Sequence, residues 1–315
     1  MHAVRPEGLT IAAAGTDDDL RAMITVRTAA NPDRPAPRLE NLRHNLSAQT
    51  GVTFVVARLQ GEPAACGFVS IDIPATHAEA HVVVAPQLRC QGVGSALLAE
   101  AGGLARAAGK RELEGPVRED DDASRAFLER RGFRIVGGEQ ALALDLGQID
   151  PVATTLPPGV EIVSRAARPD LTDALYPVGA EGAEDIPGSP GRPTYEQWRA
   201  IDVDRPTRIP ELFFIALFDG EPIGYATMDD YGRDAFHGLT AVRRDWRRRG
   251  VATGLKQAQI AAAKERGFRR VFTTSEERNT PMRALNAKLG YRAEPSLSEI
   301  VLRGPADVRL PHGDN

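Results

Sequence analysis

Between residues 93 and 108 the apolar side chains fall at Val93, Leu97, Ala101, Leu104 and Ala108, a spacing of three and four that lines one face of a helix. The same rhythm returns at Val251, Leu255, Ala258 and Ala262, and both stripes predict helices packed on a sheet. Elsewhere in the first half, Leu9 to Ala13 reads as a short strand, followed by helices from the Asp17 cluster to Thr28 and from Leu39 to Ser47. Thr53 to Leu59 and Ala64 to Ile71 flank Gln60-Gly61-Glu62 and predict an antiparallel hairpin, with the next strand over Glu79 to Val84. A strand near Arg111 to Val117, a helix from Asp122 to Arg131 and final strands through Leu146 complete this half. The second half predicts strands near Val160 to Ser164, Glu211 to Phe218, Pro222 to Asp229, Ala235 to Val242, Arg270 to Thr274 and Ser298 to Leu302. The order β-α-α-β-β-β-α-β-α-β-β implies an α/β fold with a mixed sheet flanked by helices.

The two halves also repeat one another in wording. Val84-Ala85-Pro86-Gln87-Leu88-Arg89-Cys90-Gln91-Gly92-Val93-Gly94 returns as Val242-Arg243-Arg244-Asp245-Trp246-Arg247-Arg248-Arg249-Gly250-Val251-Ala252. Gly92 and Gly250 are 158 positions apart, as are Gly132 and Gly290, whereas Gly61 and Gly220 are 159 apart. A period this long means a duplicated domain, since stacked repeats run to roughly 20–50 residues. The length of 315 residues fits two domains at about 100–200 residues each. The proline-rich stretch around Pro151, Pro157 and Pro158 cannot continue a helix or an interior strand, so the boundary is drawn there. This gives an N-terminal domain over 1–150, a linker over 151–158 and a C-terminal domain over 159–315.

Each repeated segment is a strand end, an arginine-bearing loop and a small-residue helix start. Such a loop aims several backbone N–H groups at one point beside the positive end of a helix dipole, and suits a pyrophosphate. The candidate contacts are Arg89, Cys90, Gln91, Gly92, Val93 and Gly94 in the first copy, and Arg247, Arg248, Arg249, Gly250, Val251 and Ala252 in the second. A solvated basic turn is the alternative for Arg247 to Arg249. Cys90 has no histidine at a fixed catalytic relation and reads as a backbone contributor, and Cys66 reads as core. A dinucleotide fingerprint does not fit, because the third glycine is absent and a long loop replaces the tight turn.

Composition narrows the field further. A net charge of −4 and a pI near 5.9 argue against a general nucleic-acid binder, and no block of like charge offers a membrane surface. Two cysteines make neither a disulfide framework nor a metal cluster. No stretch approaches the roughly 18 apolar residues of a membrane span, and Met1 to Pro6 lacks a secretory core. A soluble, cytoplasmic protein is the expectation. His77 and His81 share the i, i+4 spacing of a metal pair, but on a strand they lie about 13 Å apart, so no metal is expected.

With these residues in view, the chain resembles the GCN5-related N-acetyltransferases (GNAT), whose pyrophosphate loop reads Gln/Arg-x-x-Gly-x-Gly/Ala after the fourth strand. Arg89-x-x-Gly92-x-Gly94 and Arg247-x-x-Gly250-x-Ala252 both match, in the tandem arrangement of mycothiol synthase-like acetyltransferases. The resemblance implies acetyl-CoA as acyl donor. Its acetyl carbonyl and pantetheine would lie on the fourth strands, around Val82 and Val84 or Thr240 and Val242, where each parts from the fifth. It also implies roles near the pantetheine arm for Asn279 and Asn286, which belong to a Thr-x-Asn-x-x-x-Asn-x-x-Met-x-x-x-Asn-x-x-Leu-Gly wording in which Ser275 replaces the first Asn. The first copy has Asp121, Ser124 and Leu128 where the second has Asn279, Met282 and Asn286.

A general base in this superfamily is often a glutamate on the fourth strand, which points to Glu79 and, 158 positions later, His237; a solvated or paired side chain is the alternative for each. The position of the usual general-acid tyrosine holds Leu128 and Asn286. Glu184 and Asp185, in the segment from Glu181 to Trp198, would attract a cationic amine; the alternative is a polar loop with a helix cap at Thr194 and Trp198 packed inward. Asp229, Asp230 and Tyr231 line a neighbouring turn. The expectation is direct transfer of an acetyl group to the primary amine of a small molecule in a ternary complex, with the C-terminal copy catalytic because its asparagine pattern is fuller. A non-catalytic acyl-CoA-binding scaffold and a protein lysine or N-terminal acetyltransferase are the alternatives, and monomer and homodimer stay equally open.

Overall fold

In chain order the elements are β1 (Leu9–Ala13), α1 (Asp17–Ala30), α2 (Leu39–Ala48), β2 (Val52–Leu59), β3 (Glu62–Ser70), β4 (His77–Val84), α3 (Val93–Ala107), β5 (Glu112–Arg118), α4 (Asp122–Glu129) and β6 (Arg134–Asp145). There follow β7 (Val160–Ser164), α5 (Tyr176–Glu184), α6 (Tyr195–Trp198), β8 (Phe214–Phe218), β9 (Glu221–Tyr231), β10 (Asp234–Val242), α7 (Val251–Glu265), β11 (Arg270–Glu276), α8 (Thr280–Lys288), β12 (Arg292–Ala293) and β13 (Glu299–Pro305). This computed structural model describes residues 5–308 apart from 35, 49–50, 72–75, 150–152, 188 and 190. Where two final strands were expected before Leu146, the chain makes one long strand, β6.

Two compact units result, and they are not the two halves drawn from the proline-rich linker. The first runs to Gly138 and resumes at Ser296; the second spans Glu139–Pro295. In the first unit the strands lie in the order β1-β2-β3-β4-β5-β13, antiparallel throughout except for the parallel pair β4–β5. The second repeats this topology as β7-β8-β9-β10-β11 followed by the Glu139–Asp145 part of β6, with β10–β11 parallel. The sixth strand of each sheet therefore comes from the other half of the sequence. Of the linker, residues 151 and 152 lie outside the described residues. Thr155 donates its N–H to Gln257 Oε1 of α7 at 3.0 Å, and Leu156 packs at Gly254, so the rest of the linker is bound to the second unit.

Local sequence explains the elements that position the site. Thr16 and Asp19 cap α1 reciprocally, and three aspartates in its first turn meet the positive end of its dipole. Helix α3 buries Val93, Leu97, Leu98, Ala101 and Ala105 against its sheet, while Ala108 is its exposed C-cap. In α7 the buried face carries Val251, Leu255, Ile260 and Ala263, and it also sinks Lys256 and Gln259. Two buried polar side chains on the core face of a helix demand partners. Among the described residues no helix is long and apolar enough to cross a membrane.

Candidate functional site

In the first unit β4 and β5 pair only from His77↔Glu112 to Glu79↔Glu114. Beyond that point the β5-facing edge of β4 is left without a ladder, while its other edge stays paired with β3 through Val84. Gly115 takes up the parting: a Cβ there would lie 2.0 Å from the Ala80 carbonyl oxygen. Residues 80–84 and 114–118 then line a cavity of about 1020 Å³. That is the size of a pocket for a sizeable small molecule.

One part of this cavity is the predicted loop. Pro86–Leu88 form a single 3₁₀ turn, Arg89 is extended, Cys90 sits at φ 60°, and Gly92 at φ 84° starts α3 without a side-chain cap. The N–H groups of the first helical turn thus have neither an intrahelical partner nor a cap, which is the arrangement that holds an anion. Arg89, Cys90, Gln91, Gly92 and Gly94 line the cavity with Val82 and Val84, whereas Val93 is fully buried in the core. Arg131, which sequence reasoning missed, joins them: its Nη2 donates to Ser95 Oγ at 2.9 Å, its guanidinium lies 3.7 Å over the Phe127 ring, and its buried Nε has no partner. Its position directly before Gly132-Phe133 was the available signal.

Farther along β4 the lining changes to His81, Arg27, Asn31, Arg34 and Arg118. The His81 ring packs 5.9 Å from Phe68, and burial, with the Arg27 and Arg34 guanidiniums adding to it, pushes its pKa down to about 4. It is a neutral imidazole near pH 7. Arg34 is held by Glu299 at 2.7 Å and by the Leu297 carbonyl at 3.1 Å, and Arg118 by Asp33 at 3.0 Å and Asp120 at 2.8 Å. Glu79, on the same strand, is exposed and level with Glu114 where the ladder is still closed, so it is not among the cavity residues.

The second unit reproduces the loop almost angle for angle: Arg247 is extended, Arg248 sits at φ 60° and Gly250 at φ 93° starts α7 without a side-chain cap. Arg244 and Arg247 are engaged from within. Arg247 donates from Nε to the Val242 carbonyl at 2.9 Å and pairs with Asp185 at 2.5 Å. Arg244 pairs with Asp185 at 2.7 Å and Glu184 at 3.0 Å, and its backbone N–H donates to Glu181. The Arg244 and Arg247 guanidiniums hold the Asp185 carboxyl down to about 2. Arg249 lies 4.8 Å over the Trp246 ring, Arg248 is exposed, and Val251 is core beside half-buried Ala252. Thr194 caps α6, and Trp198 is buried with its indole N–H on Tyr225 Oη at 2.9 Å. Asp229 is buried against Arg208 at 3.2 Å, and Asp230 accepts from the Gly232 N–H at 2.6 Å.

The remaining candidates of this unit form a buried polar network. His237 Nδ1 lies 2.5 Å from Tyr291 Oη, beside a bulge of β10 between His237 and Thr240. Lys256 Nζ donates to Asn286 Oδ1 at 2.9 Å, 5.4 Å over the Tyr291 ring, and Asn286 in turn reaches Ser275 Oγ at 3.5 Å. Burial, then the Lys256 charge, holds His237 well below the usual histidine range; burial pushes Lys256 down to about 7. Asn279 caps α8 by accepting from the Met282 N–H at 3.3 Å, Val242 is buried, and the Thr240 hydroxyl is buried without a partner. Both asparagines thus have structural occupations. Among the described residues no three histidine, cysteine, aspartate or glutamate side chains converge as a metal site.

Comparison with known proteins gives this geometry its family. The model of the acetyltransferase (GNAT) family matches twice, over residues 20–133 and 181–291. The chain is 29% identical over 277 residues to a mycothiol acetyltransferase of Cellulomonas flavigena, covering 84% of this chain and 79% of that protein. It is 32% identical over 212 residues to a mycothiol acetyltransferase of Sanguibacter keddieii, covering 63% and 64%. Among solved structures, a GCN5-related N-acetyltransferase from Sphaerobacter thermophilus superposes with a TM-score of 0.74 at 21% identity, over 96% of this chain and 97% of that one. A tandem GNAT protein from the clavulanic acid biosynthesis pathway does so with a TM-score of 0.75 at 23% identity, over 95% and 98%. The chain belongs to the acetyltransferase (GNAT) family and is an N-acetyltransferase carrying that family's domain twice.

Proposed function

We propose that acetyl-CoA binds in the cavity of the first unit and that its acetyl group passes directly to the primary amine of a small molecule. The observation that carries this reading is one continuous cavity joining an uncapped helix start at Gly92 to the open edge of β4 at Val82–Val84. The pyrophosphate would rest on the Arg89–Gly94 loop, with Arg131 and its spare Nε nearby, and the thioester carbonyl against the free N–H groups of β4. The amine nitrogen attacks the thioester carbon, the C–N bond forms, the oxyanion collapses, and the C–S bond breaks to release the thiolate. Once the C–N bond forms, the proton on nitrogen becomes strongly acidic, so a weak neutral base suffices to take it. His81 is that base in this reading.

In the second unit Arg244 and Arg247 are tied to α5 and its C-cap Asp185, and His237, Lys256 and Asn286 serve the buried network; these contacts support a structural role for that copy. Paired substitutions test the assignment. Gly92→Glu places a side chain and a negative charge in the first cradle and is expected to abolish thiol release from acetyl-CoA, while Gly250→Glu leaves it standing. Loss confined to Gly250→Glu would move the chemistry to the second unit, as the fuller asparagine wording suggests. Acetyl-CoA binding by calorimetry without turnover on any amine would favour a scaffold.

A further inference from the structure

At the acceptor end of the cavity one guanidinium has no carboxylate partner of its own among the described residues. Three guanidiniums line that end, those of Arg27, Arg34 and Arg118. Arg118 is shared between Asp33 and Asp120, and Arg34 lies on Glu299. Arg27 is half-buried on the last turns of α1 and has no acidic partner among the described residues. Arg34 also keeps a spare donor, because its Nε is buried without a hydrogen-bond partner. A guanidinium withdrawn from bulk water is costly unless an anion meets it, and an unmatched pair of donors in a cavity is a place for one.

The phosphates of the acyl donor are not the natural match. The cradle begins at Arg89, whereas Arg27 and Arg34 act on His81, which at the rise of a strand lies about 10 Å back along β4 from Val84. The second unit shows the opposite chemistry at the corresponding helix end. There Glu181, Glu184 and Asp185 occupy the end of α5, and they are spent on Arg244 and Arg247. In the first unit the helix end offers Arg27 and Asn31 to the cavity instead.

We propose that the acceptor amine carries a compact acidic group, a carboxylate or phosphate, and that Arg27, helped by Arg34, binds it so that the amine is held beside His81. This rests on the reading of the first unit as the site of acetyl transfer. The anion would neutralise the free guanidinium and fix one end of the acceptor; the amine at the other end would face the thioester. The chemistry is that of a small amino acid or an aminoalkyl phosphate.

The test is thiol release from acetyl-CoA with three matched sets of amines: amino acids, their carboxamides, and the corresponding aminophosphonates. The wild-type protein is expected to favour an acidic set over the carboxamides by about tenfold to a hundredfold in kcat/KM, the worth of a charge-assisted hydrogen bond. Preference for the carboxylates or for the phosphonates tells which acid the site takes. Arg27→Gln should erase the ratio between acid and amide by raising the acceptor KM with that of acetyl-CoA unmoved, and Arg27→Lys should restore part of it. Equal rates on acids and amides, or a shift confined to the acetyl-CoA KM, overturn the anion-binding role while acetyl transfer stands. No release with any amine by a protein whose melting curve shows it folded overturns both the anion site and the reading beneath it.

Discussion

The two cysteines show how much a residue's surroundings decide. Cys66 is buried on β3, and that burial pushes its thiol up to about 12, so it stays protonated at any ordinary pH. Cys90 is exposed in the loop and lines the cavity. Alkylation at pH 8 should therefore label Cys90 alone, and saturating acetyl-CoA should protect it; peptide mapping by mass spectrometry reads both. His81 belongs to the same scale. His81→Ala is expected to lower kcat by about a hundredfold, in the range of a lost proton acceptor, with little change in the acetyl-CoA KM. The sequence contained His81 in plain view, but only as one of a pair of histidines on a strand. That Glu79 stays outside and His81 lines the cavity depends on where the β4–β5 ladder ends, between residues 79 and 80, and single-strand periodicity carries no such information.

At the scale of elements, the repeated loop was the most legible part of the chain. Arginine, a left-handed residue, glycine and a small helix start determine the backbone path locally, so both copies take it. The occupants of the asparagine wording were less legible. Asn279 and Asn286 are used as a helix cap and as the partner of a buried lysine, and that lysine is visible only as one polar residue in an otherwise amphipathic α7. Lys256 gives the network a pH dependence. Its pKa is about 7 when folded against 10.5 as the reference value, so the unfolded chain binds the extra proton between those limits and stability rises with pH across that window. Urea midpoints measured from pH 7 to pH 10 should climb, and the climb should flatten in Lys256→Met. In the first unit, Gly115→Ala forces a Cβ against the Ala80 carbonyl and is expected to cost about 1–3 kcal/mol, with weaker acetyl-CoA binding as the walls of the cavity shift.

For the whole molecule, the doubling was read from constant spacings, and the division into units was not. A proline-rich stretch marks where the chain changes direction locally, whereas the company kept by β13 and by Glu139–Asp145 is decided by pairings 181–193 and 125–137 positions apart in sequence. The fragment 1–150 lacks the strand that completes the first sheet, which leaves β5 with an open edge and takes Leu302 out of the core around Leu113. It is expected to be unfolded or aggregated alone by circular dichroism and light scattering, and to gain structure when a peptide of residues 296–315 is added.

The trade of sixth strands also bears on descent. A gene that has doubled can ordinarily be parted again at its seam, each product keeping its own complement of strands. Here a recombination event at the seam would deliver a half whose last strand is still encoded in the other, so inheritance must pass the two halves on as one unit. A second copy is thereby retained: it encodes the strand that the first copy needs.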